Sequence, residues 1–213
     1  MFKKMEDIEV ILFDLGGVLV ELSGVSTMLR WSALTVDGKP LDEQSLWRCW
    51  LNSPAVRRFE TGQISAQTFA DQLIEEMHLK VDRQTFLDAF TAWPSGLFPG
   101  VPALLNKLRD RYTLACLSNT SELHWPRLMK EMALESHLDH HFGSHLIGKI
   151  KPDRECFDHV IEALTLQPEQ ILFFDDNLIN VEGERKAGMQ ALHVRGIEAL
   201  HQTIEHHRLI KKN

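Results

Sequence analysis

Three short stretches of the chain are apolar at nearly every position: VILF at 10–13, YTLACLS at 112–118 and ILFF at 171–174. A strand with one wet face alternates apolar and polar residues, so an unbroken run points to a strand covered on both faces, as in a parallel sheet. SHLI (144–147) and QALHV (190–194) are weaker members of the same set. Between the runs, apolar residues recur at helical spacing over 102–110, 121–133, 153–165 and 177–187. Pro102 near the start of the first, Asp153 as an N-cap of the third and Gly188 after the last supply the start and stop signals. Strand alternating with helix predicts an α/β fold with a doubly wound parallel sheet.

Residues 21–94 break the alternation. They show no convincing strand but several amphipathic helical patterns, among them SAQTFADQLIEEM (65–77) and DRQTFLDAFTAW (82–93). The chain therefore reads as an α/β body, residues 1–20 and 95–213, with a helical insert, 21–94, directly after the first strand. PSGLFPGVP (94–102), dense in Pro and Gly, is the expected hinge back into the body.

A chain of 213 residues, 44% hydrophobic and 25% charged, has the composition of an ordinary folded globular protein. Its 23 Lys plus Arg against 30 Asp plus Glu leave a net charge of −7, and no basic stripe is available to neutralise a phosphate backbone, so nucleic acid is not an expected partner. Cys49, Cys116 and Cys156 are odd in number and widely spaced, which suits a reducing cytoplasm better than a disulfide framework. Lys3 and Lys4 give the start a basic pair, but Glu6, Asp7 and Glu9 break the apolar stretch that a secretory leader needs. No run approaches the roughly 18 apolar residues of a membrane span, so no membrane partner is expected.

Ligands of an open parallel sheet bind beyond the carboxyl ends of its strands, which gives weight to the polar residues there. The first strong run ends on Asp14, the second on Ser118 and Asn119, the third on Asp175 and Asp176, and Lys151 follows the weak fourth in GKIKPDRECF. Singly these residues read as caps, turn formers or a solvated cation. Together, facing carboxylates suit a hard cation with oxygen ligands, most simply Mg²⁺. A hydroxyl, a lysine and free backbone N–H groups suit an anion such as phosphate.

In order and spacing, VILFDLGGVLV, LACLSNT, GKIKPDRECF and ILFFDDNLINVEGERKAGM resemble the motifs of the haloacid dehalogenase superfamily, from Glu9 to about Arg195. The insert, with RRFETGQISAQTFADQL, resembles the helical cap of that superfamily's sugar-phosphatase-like and epoxide-hydrolase-associated phosphatase branches. The resemblance implies a Rossmann-like core and a Mg²⁺-dependent phosphatase acting on a small phosphate ester, with a sugar phosphate as the best analogy. The cap would close over the substrate and exclude water.

Carried over by position, it makes Asp14 the nucleophile that takes the phosphoryl group as an aspartyl-phosphate. The metal would be held by Asp14, the Gly16 carbonyl and Asp176, with Asp175 supporting the metal shell or Lys151. Ser118, Asn119 and the amides after Asp14, in a turn that Gly17 permits, would bind phosphate oxygens. Lys151, ahead of Lys149 because it precedes Pro152, would neutralise charge.

Two positions depart from the pattern. Gly16 stands where the superfamily's phosphatases usually carry a second Asp as general acid and base, a group worth about 10²–10⁴ in rate. Should another residue supply the proton, His124 or a residue of the insert is the first place to look. Asn180 stands where an acid is common. Two other readings therefore fit: a metal-independent haloacid dehalogenase, and a phosphate-ester-binding protein with weak or no turnover. His140, His141 and His145 show no zinc spacing and read as a solvated face or loop, and Trp47, Trp50 and Trp93 read as the insert's own core.

Overall fold

The computed structural model describes residues 7–36, 39–40 and 42–210. The first six and last three residues of the expected body, Lys3 and Lys4 among them, lie outside the described residues, as do positions 37, 38 and 41 of the insert.

The first element among the described residues is β1 (Val10–Phe13), after which the chain leaves the main sheet. There follow β2 (Val20–Leu22), α1 (Val25–Trp31), a hairpin of β3 (Thr35–Val36) and β4 (Lys39–Pro40), then α2 (Glu43–Asn52), α3 (Pro54–Glu60), α4 (Ala66–Glu76) and α5 (Arg83–Thr91), before β5 (Pro94–Leu97) returns. The rest of the body is α6 (Val101–Arg109), β6 (Thr113–Ser118), α7 (Leu134–His137), β7 (His140–Gly143), α8 (Ser144–Ile147), α9 (Arg154–Leu164), β8 (Ile171–Asp175), α10 (Leu178–Lys186), β9 (Gln190–His193) and α11 (Gly196–His206).

The main sheet is wholly parallel, in the order β7-β6-β1-β8-β9. Its three inner strands, β6, β1 and β8, bury both faces, as their unbroken apolar runs require. Ile11 and Phe13 of β1 pack with Leu114, Cys116, Leu172 and Phe174 on one side, and Val10 and Leu12 with Ala115, Leu117, Ile171 and Phe173 on the other. Burying each large side chain stabilises the fold by about 1.5–3 kcal/mol. β1 lies at the centre, and the winding reverses around it, which places a crevice at its carboxyl end.

The inserted helices have a core of their own, built on stacked, tilted and edge-on pairs among the rings of Trp50, Phe59, Phe69, Phe86, Phe90 and Trp93. Their starts are locally encoded. Asp42, Ser53, Ser65 and Asp82 each accept a backbone N–H three residues on, and Pro54 takes the first turn of α3.

Four expectations need correction. SHLI is a short helix, α8, and the edge strand lies just before it at His140–Gly143. The 121–133 pattern is not one regular helix: Pro126 brings no donor, and Arg127–Glu131 widens into a π turn in which the Met132 amide reaches the Arg127 carbonyl (2.9 Å). Residues 20–97 contain strands, since β2 and β5 pair antiparallel where the chain leaves and re-enters the body, so the supposed hinge is partly a strand. Asp153 does stand at the N-cap position of α9, but its side chain makes no cap hydrogen bond and pairs instead with Arg57 of α3.

Candidate active site

Strand pairing alone brings the expected residues to one edge. β1 delivers Asp14, whose amide extends the ladder to the Phe174 carbonyl (2.9 Å), β6 delivers Ser118, and β8 delivers Asp175 and Asp176. Lys151 reaches in from the loop before α9, with 1% of its side chain exposed, and sets its Nζ 2.6 Å from Asp175 Oδ2 and 3.2 Å from Asp14 Oδ1. Lys149 has no such place.

Asp175 is fully buried and accepts also from the Asn177 amide (2.7 Å) and from Asn180 Nδ2 (3.1 and 3.2 Å). An acid at position 180 would face Asp175 with a like charge, whereas the amide donates to it. Asn180 thus holds the carboxylate that holds Lys151.

Asn119 differs from its expected use. Its side chain donates to the Lys151 carbonyl (3.0 Å) and accepts the Lys151 amide (2.9 Å), so the side-chain amide is occupied in holding the Lys151 loop. Ser118 is buried at the cavity floor, and the Thr120 hydroxyl beside it is buried without a partner among the described residues. The sequence reading passed over Thr120, although it follows Ser118 and Asn119 directly.

The glycines also divide their work differently. The Gly17 amide donates to the Val20 carbonyl (2.9 Å) and is spent in the turn. Gly17 has φ +74°, and a Cβ there would stand 2.4 Å from Asp176 Oδ2, so its bare Cα makes room for that carboxylate. At Gly16 a Cβ would meet only the end of the Leu22 side chain, at 2.9 Å.

Burial pushes the Asp14 carboxyl up to about 7; Lys151 opposes the rise, while Asp175 and Asp176 add to it. Burial and then Asp175 raise Asp176 as well. Burial disfavours the Lys151 ammonium, but Asp14, Asp175 and Glu184 outweigh it and leave its pKa above the ordinary value. Behind the site, burial pushes Glu184 up to about 9, and both of its carboxyl oxygens lack partners among the described residues.

Asp14, Asp175 and Asp176 can each bring one oxygen to within 4.8 Å of the others. Crowded anionic oxygens that repel one another fit a hard divalent cation, which would lower all three charges at once. Among the described residues no comparable group of His or Cys ligands occurs: His140 is exposed, and His145 packs edge-on against Trp125.

Above this floor lies a cavity of about 510 Å³, roofed by the inserted helices. Trp50 and Trp93 belong to the insert's core, as expected, yet with half-buried Trp47 they also wall the cavity. His124 is held between the body and the insert. Its Nε2 lies 2.7 Å from the Phe90 carbonyl of α5 and its ring lies against Phe90, and burial pushes it down to about 4. Glu60, the last residue of α3, lines the same cavity half-buried. Sequence reasoning missed it, although RRFETGQIS lay within the stretch that resembled a cap.

A model of the haloacid dehalogenase-like hydrolase family matches residues 8–188. A phosphatase of Mycobacterium tuberculosis is 33% identical over 190 residues, 84% of this chain and 86% of that protein. An (S)-2-haloacid dehalogenase of a Pseudomonas species is 27% identical, covering 86% of this chain and 81% of that one. The fold is shared with a haloacid dehalogenase family enzyme from Bacteroides thetaiotaomicron, solved as a magnesium complex, at a TM-score of 0.74 and 24% identity over 93% of this chain and 99% of that one.

Proposed function

The chain belongs to the haloacid dehalogenase-like hydrolases, and from that premise we propose that it is a Mg²⁺-dependent phosphatase that hydrolyses a small phosphorylated metabolite through an aspartyl-phosphate on Asp14. The observation that carries this reading is the pairing of three converging carboxylates with one buried lysine on the floor of a single cavity. Asp175 has a task without a metal, holding Lys151, but a metal-free nucleophile has little use for Asp176 beside it, whereas a phosphate ester needs both a cation and a nucleophile. The 33% identical phosphatase relative supports the same choice.

Asp14, at the mouth of its strand, attacks phosphorus. Lys151, fixed by Asp175 and by the Asn119 clamp on its backbone, neutralises the nucleophile and one phosphoryl oxygen. Ser118 and Thr120 supply hydroxyl donors to the others. Asp14, Asp176 and the Gly16 carbonyl, with Asp175 behind, would hold Mg²⁺. The ion's contribution is to screen the repulsion between carboxylate and phosphate dianion. The cavity's size suits a small ligand. Its aromatic walls over a polar floor suit a sugar phosphate, whose C–H faces pack on rings while its phosphate reaches the floor. The inserted helices act as the cap.

The test is phosphate release from a panel of phosphorylated metabolites, with Mg²⁺ or with EDTA. Turnover should require Mg²⁺ and fall by about 10⁴-fold or more in Asp14→Asn, which keeps the side-chain volume but not the nucleophile. Halide release from 2-haloacids in EDTA would overturn the reading in favour of a dehalogenase. Tight binding of esters without turnover would leave a binding protein.

A further inference from the structure

A phosphoryl group attacked by Asp14 expels its leaving oxygen on the opposite side, away from the sheet edge and toward the inserted helices. Gly16 offers no side chain to protonate that oxygen. Among the described residues lining the cavity, the carboxylates are Asp14, Asp176 and Glu60, and of these Glu60 alone belongs to the insert.

Its place there is fixed. Ser53 caps the start of α3, and Arg57, one turn before Glu60, pairs with Asp153 of the body. Just beyond, Gly62 presses on the turn of α8, so closely that a Cβ would stand 2.7 Å from the His145 carbonyl oxygen. The carboxyl end of α3 is thus docked on the body with Glu60 facing the site. No hydrogen bond or salt bridge among the described residues claims the Glu60 carboxyl. The other candidate, His124, is occupied by the Phe90 carbonyl.

We propose, resting on the phosphatase reading above, that Glu60 is the general acid and base of the reaction, in place of a carboxylate at position 16. Burial, and then the nearby Asp14 charge, push its carboxyl up to about 8. A helix carboxyl end also disfavours an anion. Glu60 therefore arrives protonated. In the first step an Asp14 oxygen bonds to phosphorus, the bond from phosphorus to the ester oxygen breaks, and the Glu60 proton moves to that oxygen, releasing the alcohol. In the second, the Glu60 carboxylate takes one proton from water as the water oxygen attacks phosphorus. The bond to Asp14 breaks, hydrogen phosphate leaves, and both carboxyls return to their starting states.

The experiment compares wild type, Glu60→Gln and Glu60→Ala on p-nitrophenyl phosphate and on a primary alkyl phosphate, with Mg²⁺. The aryl ester needs no acid to depart, so its kcat/KM should change less than about threefold, while that of the alkyl ester falls by about 10²–10⁴. The second step lacks its base with either ester. Glu60→Gln should therefore show a burst of about one p-nitrophenol per active site, and acid-quenched protein should carry hydroxylamine-sensitive phosphate. Equal losses of kcat/KM on both esters, or unchanged rates, with neither burst nor trapped phosphate, would overturn the role and leave the phosphatase reading intact. If the wild type releases phosphate from neither ester nor any metabolite of the panel, that reading fails and the role of Glu60 falls with it.

Discussion

Adjacent Asp175 and Asp176 should fail in opposite ways when replaced by alanine. Asp175 is fully buried and is the nearer partner of Lys151, whose side chain is 1% exposed. Without it the one ion pair left to the ammonium among the described residues is that with Asp14, at 3.2 Å, and the Asn177 amide and the Asn180 side chain lose their acceptor. Removing one partner of such a buried pair costs about 3–5 kcal/mol. At about 2–4 °C per kcal/mol for a chain of this size, the melting temperature falls by about 6–20 °C. Asp176 is half-buried and repelled by its neighbours, so Asp176→Ala should melt within a few degrees of wild type, or above it, in EDTA. The response to Mg²⁺ ranks the two the other way. At about 100 times its dissociation constant a ligand stabilises by about 2.7 kcal/mol, roughly 5–11 °C here. Wild type and, from its lower start, Asp175→Ala should gain most of that shift, and Asp176→Ala little of it. Thermal melts of the three proteins with and without Mg²⁺ decide the matter. If Asp176→Ala melts as low as Asp175→Ala in EDTA, or keeps the full Mg²⁺ shift, the division of labour argued from burial is wrong.

Gly17→Ala should cost about 1–2 kcal/mol for its φ of +74° and push the Asp176 carboxylate aside. Its apparent Mg²⁺ affinity, measured by titration, should fall well below that of Gly16→Ala, whose new methyl meets only a leucine tip. Glu184 should make the protein less stable as pH rises from about 4.5 to 9. Across that window the unfolded glutamate ionises at its ordinary value of 4.5 while the folded one, raised to about 9, keeps its proton. Urea midpoints at pH 5 and pH 8.5 should therefore differ less in Glu184→Gln than in wild type, and an unchanged difference would refute the assignment.

The parts of the fold that were legible are those where burial on two faces leaves a mark on consecutive residues. VILF and ILFF could scarcely be anything but central strands, and their polar ends gave Asp14, Asp175 and Asp176. The edge strand β7 has one neighbour and begins with exposed and half-buried histidines, so its run was too weak to read, and the more apolar SHLI beside it drew the assignment. Lys151 and Ser118 were legible as members of an ordered set, but the Asn119 clamp was not, because the Lys151 backbone reaches it only through the pairing of distant strands. Glu60 left no signal for a physical reason. At the end of an amphipathic helix a glutamate looks like any solvated charge until α3 docks on α8 and encloses it.

The central position of β1 has a consequence for how the chain is made. Val10 pairs with Thr113 on one side and with Ile171 on the other, so β1 leaves the ribosome well before either strand that flanks it. At about 5–20 residues per second, β1 waits on the order of ten seconds or more for β8. Its apolar residues are exposed meanwhile, and the long loops to be closed make the sheet slow to assemble. The inserted helices meet no such delay: their core is built from contacts within one stretch of chain and can form while the sheet is still missing. A nascent chain halted before Ile171 would hold a finished roof over no site, with the strand that ends in Asp14 open along one edge.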